Sequence, residues 1–86
     1  MASIAEVKAA IEVAVAQVSE GQAAIRTASE KLAEAAQTMA AALEGSGHDL
    51  VNGVQAALTQ AGSELEEGLA ATLTAVEQAQ NYAAAL

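Results

Sequence analysis

Glu44-Gly45-Ser46-Gly47-His48-Asp49 is the one break in a chain that otherwise reads as helix. It lies at the centre of 86 residues that contain no proline, so no backbone donor is missing anywhere along the chain. Gly45 can adopt the left-handed conformation that closes a helix, and it is placed to cap a first helix over 4–44. Ser46 or Asp49 can cap a second over 49–84, since Ser46-Gly47-His48-Asp49 is a capping box with Asp in place of Glu. A turn over 45–48 leaves two long helices no arrangement but side by side and antiparallel. The expected fold is all-α: one domain over 1–86, an antiparallel two-helix hairpin of coiled-coil type, itself paired into a four-helix bundle.

N-terminal to the turn the spacing is regular. Ser3-Ile4-Ala5-Glu6 is a capping box, with the Ser3 hydroxyl accepting from the Glu6 amide and the Glu6 carboxylate returning to the Ser3 amide. From there Ile4, Ile11, Val18, Ile25, Leu32 and Met39 recur at intervals of seven. Three residues after each come Val7, Ala14, Gly21, Ala28, Ala35 and Ala42. The reading is a heptad seam with a large residue at one position and a small one at the other. Val15 and Leu43 widen it on the adjoining row.

C-terminal to the turn the expected seam is Val51, Val54, Leu58, Ala61, Leu65, Leu69, Val76 and Ala83. The four-residue step from Leu65 to Leu69 reads as a stutter in the heptads. Folding about the turn pairs positions whose numbers sum to about 92, and brings Gly21 near Gly68 or Ala71. Two glycines at one level predict a waist where the backbones approach closely. Each helix should be roughly 57–62 Å long at 1.5 Å per residue.

The apolar share is 53%, but much of it is alanine and only 1% is aromatic. Alanine favours helix and contributes little burial. Val13 and Leu73 lie off the seam, and a lone hairpin has no second layer to cover them. A small chain with so thin a core calls for extra burial, so a partner protein or a second copy, as a homodimer, is expected.

The net charge is −8. Residues 1–44 carry six acids against Lys8, Arg26 and Lys31, while 45–86 carry Asp49, Glu64, Glu66, Glu67 and Glu77 and no base. Nucleic acids and anionic membranes both require basic residues, so neither is an expected partner. The longest uncharged run, 50–63, is too short to span a bilayer and contains Asn52, Gln55, Thr59 and Gln60, so no membrane insertion is expected. Glu6, Lys8 and Glu12 interrupt any secretory h-region, which leaves the cytoplasm or export without a Sec signal.

No catalytic, cofactor-binding or metal-binding set is evident, and no small-molecule substrate is expected. His48 is the only histidine and there is no cysteine, so a zinc site lacks its other ligands. Gly45-Ser46-Gly47 is not followed by the lysine of a phosphate-binding loop. Glu64, Glu66 and Glu67 cannot all face one way on a helix, and no bulky apolar shell stands ready to raise a carboxyl pKa. The chain is not expected to be an enzyme.

The Gly45-Ser46-Gly47 turn between two equal helices, the acidic Ala-rich composition and the tail Val76-Glu77-Gln78-Ala79-Gln80-Asn81-Tyr82-Ala83-Ala84-Ala85-Leu86 resemble the WXG100 (ESAT-6-like) proteins. The likeness is greatest to their Trp-less, Ala/Gln-rich actinobacterial relatives. It extends along the whole chain as architecture. In place of the family's Trp-x-Gly turn only Gly47 matches, and Tyr82 is followed four residues on by Leu86 where the family's export signal has an acid. The resemblance implies a dimeric helical hairpin that is exported by a type VII-type machine, or that serves as adaptor or targeting partner of a larger effector. Tyr82 and Leu86 would then be recognition residues. The alternative reading is a self-assembling structural subunit, a needle- or filament-like hairpin.

Overall fold

The computed structural model describes residues 1–44 and 49–86, the side chains of 49–51 excepted. The turn residues Gly45, Ser46, Gly47 and His48 lie outside the described residues. Two helices, α1 (Ile4–Ala42) and α2 (Asp49–Ala85), make up nearly all of the rest.

Helix α1 starts where the sequence places it. Ser3 is extended (φ −72°, ψ 164°), and its Oγ accepts from the Glu6 amide at 3.1 Å. The Val7 amide reaches the Ser3 carbonyl at 3.0 Å and begins the helical ladder. Of the expected capping box the structure thus forms the serine half, with Glu6 still placed at the positive end of the helix dipole. The regular helix ends at Ala42, two residues before the expected limit, with Leu43 as C-cap donating to the Met39 carbonyl at 3.0 Å.

The helices pack along their length as an antiparallel hairpin. Two cross-links show the direction, since the α2 partner falls in number as the α1 residue rises. Gln22 Nε2 donates to Thr72 Oγ1 at 3.2 Å, and Gln55 Nε2 donates to the Ala36 carbonyl at 3.0 Å. Both lie within two positions of the pairing that the central turn predicts. The rod measures 64 × 18 × 15 Å, in keeping with helices of 39 and 37 residues.

Three details of the seam differ from expectation. In α1 the residues that turn inward with Ile11, Val18, Ile25 and Leu32 are Val15, Gln22, Ser29, Ala36 and Leu43. These lie four residues after the large ones. In the expected companion row Ala14, Gly21, Ala35 and Ala42 are exposed, while Val7 and Ala28 are half-buried. Either row borders the large one on a helix. Val15 and Leu43 offer more apolar area to remove from water than any alanine, and so draw the helix round toward them. Ile4 (58% exposed) and Met39 (36%) lie at the two ends of the seam, where the opposite helix covers them least.

The second difference concerns α2. Its half-buried residues Gln55, Leu58, Gly62, Leu65, Leu69, Thr72, Val76, Ala79 and Ala83 alternate steps of three and four without a break. No stutter exists. The leucines change row between Leu65 and Leu69, because Thr72 takes the place where the Leu58–Leu65 row would continue. Val54 and Ala61, also expected on the seam, are half-buried at its edge.

The third difference is the waist. Gly21 and Gly68 are exposed, and a Cβ built on either would meet nothing within 4 Å. Both belong to the row beside the seam, so neither helix approaches them.

Among the described residues no apolar side chain is fully buried, and the single buried residue is Gln22 at 8% exposure. The seam side chains are covered from one direction only. A full layer of core, worth about 1.5–3 kcal/mol for each large side chain, is therefore realised only in part. The Lys31–Glu34 ion pair, at 3.3 Å with both side chains well exposed, contributes little against that shortfall.

Candidate functional site

Among the described residues no three His, Asp or Glu side chains converge as metal ligands. No helix described is long and apolar enough to cross a membrane. The features that could engage another molecule are the two broad faces of the hairpin and its terminal pole.

The two faces follow from the corrected seam. Each helix turns two rows inward, so the row on either side of that pair points to one broad face. On the first face lie Val7, Ala14, Gly21, Ala28, Ala35 and Ala42 from α1, and Val54, Ala61, Gly68, Ala75 and Tyr82 from α2. None of these is charged. On the second face lie Glu12, Arg26 and Ala33 from α1, with Thr59, Glu66, Leu73 and Gln80 from α2.

Grooves between the helices confirm which rows share a face. A groove of about 560 Å³ on the first face is floored by Val7, Ala10, Ile11, Ala14 and Ala79, flanked by Tyr82 and Gln78, and closed at its outer end by Ala2 and Glu6. A hollow of about 420 Å³ lies along α1 on the same side near the turn, where Ala35, Met39 and Ala42 adjoin Lys31 and Thr38. The second face has a groove of about 250 Å³ between Ser29–Ala36 and Leu58–Glu66, and another of about 320 Å³ between Glu12–Val15 and Gln80–Ala83. The rows of the first face are uncharged, with Glu6, Lys31 and Glu34 at the edges of its hollows, whereas the rows of the second face themselves carry Glu12, Arg26 and Glu66.

Tyr82 and Leu86, the expected recognition residues, stand at the pole that holds both termini. Tyr82 is 58% exposed and borders the groove beside Ala2 and Glu6. Leu86 follows the last helical turn, its amide donating to the Ala83 carbonyl at 3.3 Å. Both are free to meet another surface. Of the large apolar residues off the seam, Val13 is exposed at 58% and Leu73 at 51%.

Sequence reasoning missed Gln22 and Thr72. They form a polar layer at mid-hairpin: Thr72 Oγ1 accepts from Gln22 and in turn donates to the Leu69 carbonyl at 2.7 Å. No buried side-chain nitrogen or oxygen among the described residues lacks a partner. The available signal was the position of Gln22 four residues after Val18, on a row that also holds Val15 and Leu43. Comparison with protein-family models, with curated proteins and with solved structures returned no match.

Proposed function

We propose that the chain is a non-enzymatic, protein-binding helical hairpin of WXG100 type. It is exported by a type VII-type system or acts as adaptor or targeting partner of a larger effector. The observation that carries this reading is the unfinished core. An 86-residue chain with two helices of nearly equal length and no fully buried apolar side chain among its described residues lacks half of its layer structure. Two-layer packing is how helices bury a stripe, and a second pair of helices would supply what is missing. The exposed Tyr82–Leu86 end offers the recognition element that such a role requires.

Size-exclusion chromatography with light scattering on the pure chain, followed by co-expression with the products of adjacent genes, tests this reading. A stoichiometric closed complex, with itself or with a neighbour's product, is expected. A fully helical monomer that engages none of those products would overturn it, and an open-ended polymer would favour the needle- or filament-like subunit instead.

A further inference from the structure

We propose that Asn52 is a site of spontaneous modification, at which the folded chain converts to aspartate and isoaspartate through a cyclic imide formed with Gly53.

The chain has two asparagines, Asn52 and Asn81, and both are exposed. They differ in the residue that follows. Imide formation requires the main-chain nitrogen of that next residue to attack the asparagine Cγ, and a side chain there crowds the approach. Gly53 has none, and even a Cβ built on it would meet nothing within 4 Å. Asn81 is followed by the bulky Tyr82.

Helical geometry opposes the attack, because it turns the next amide along the axis toward the carbonyl four residues back. The reaction therefore waits on a local opening, and the fold places Asn52 where opening costs least. It is the fourth residue of α2, in the first turn, and helix ends open at a small fraction of the global stability. Gly53 lowers that cost further, since glycine is among the poorest helix formers. Asn52 and Gly53 both stand outside the seam, and the nearest cross-link to α1 is the bond from Gln55 to the Ala36 carbonyl. Asn81 instead lies between Ala79 and Ala83, both half-buried against α1.

The step needs only water. The Gly53 nitrogen bonds to Asn52 Cγ, the Cγ–Nδ2 bond breaks, and the amide proton leaves with the side-chain nitrogen as ammonia. Water then opens the imide. Attack at Cγ restores the original peptide bond and gives aspartate. Attack at the main-chain carbonyl carbon leaves Gly53 joined through Cγ and gives isoaspartate. Base removes the amide proton, so the rate rises with pH. The two products act oppositely on α2. Aspartate adds a negative charge to the −8 of the chain, in the first turn where the helix dipole favours it. Isoaspartate adds a carbon to the main chain, interrupts the hydrogen-bond ladder and moves the start of α2 toward Gln55.

Incubation of the full chain at mildly alkaline pH, with and without urea, provides the test, with far-UV circular dichroism as the folding control. A glutamate-specific protease separates the two sites, cutting at Glu44 and Glu64 around Asn52 and at Glu77 before Asn81. Mass spectrometry follows the gain of one dalton at each, and labelling by an isoaspartyl methyltransferase detects the isoaspartate. In the folded chain Asn52 is expected to convert at least about tenfold faster than Asn81, and Gly53→Ala to slow it at least about tenfold. That variant also strengthens the helix, so it should stay slower than the wild type in urea, where helix is absent. Hydrogen exchange in the isoaspartate form should show lost protection at the start of α2, with the amides near Gln22 unchanged. Equal rates at the two asparagines, conversion in urea alone, a gain in mass without isoaspartate, or a Gly53→Ala variant as fast as the wild type would each overturn the proposal.

Discussion

Gln22 and Thr72, fifty residues apart, are joined by a 3.2 Å hydrogen bond at mid-hairpin, in the one layer among the described residues where a polar side chain is buried. A buried amide in an apolar seam fixes register, because any slip leaves it without a partner. Thr72→Val keeps the shape and removes the acceptor, and should cost about 1–2 kcal/mol. Gln22→Leu should raise the urea midpoint, since it replaces the amide by apolar volume. The same change should admit alternative pairings, visible as extra cross-peaks in amide spectra. A Gln22→Leu variant with a single sharp set of peaks and unchanged stability would show that the layer does not govern register.

Gly62 lies on the seam of α2, and a Cβ added there meets nothing within 4 Å. Gly62→Ala should therefore stabilise the hairpin by ~1 kcal/mol, through helix propensity and a methyl group placed in the groove beside Leu32 and Ala36. For a domain of this size that corresponds to a rise of about 4–8 °C in thermal midpoint. A lowered midpoint would mean that the helices close more tightly on Gly62 than the structure shows.

The Ser3 hydroxyl holds the first turn of α1 through the Glu6 amide. Ser3→Ala should destabilise by about 1 kcal/mol, and Ser3→Asp should restore the cap. Hydrogen exchange provides the readout: the Glu6 and Val7 amides, both bonded to Ser3, should lose protection in the alanine variant while those near Gln22 keep theirs.

Tyr82 is 58% exposed and Leu86 38%, so truncating either removes little of the packing between the helices. Tyr82→Ala should leave circular dichroism unchanged, yet abolish export from a host with a type VII-type system or capture of the cognate effector. Deletion of Leu86 tests whether an apolar residue serves where the family pattern has an acid. Full retention of both activities in the Tyr82→Ala variant would place recognition elsewhere on the helix faces.

Much of the hairpin was legible because its determinants are local. Ser3 needs only its neighbours to start a helix. A large residue every seven positions marks a stripe whatever it faces, and a single central break dictates antiparallel pairing within two positions of the observed one. The candidate surface was legible only in outline. Tyr82 and Leu86 could be placed at the terminal pole from chain length alone, but the division into a charged and an uncharged face depended on the exact seam.

What the sequence determined by itself, then, is the pair of helices, the start of the first, the row Ile11–Val18–Ile25–Leu32 and the direction of pairing. Only the tertiary structure decided which flanking row joins that one, that Gly21 and Gly68 face outward, and that Leu65 and Leu69 belong to one unbroken pattern. The reason lies in helix geometry. Residues three and four ahead fall on opposite sides of the same stripe, roughly 60° and 40° away, so the sequence of one helix leaves the choice nearly balanced. The opposite helix tips it: Thr72 stands where Gln22 can reach it, and Val15 and Leu43 have more surface to hide than Ala14 and Ala42.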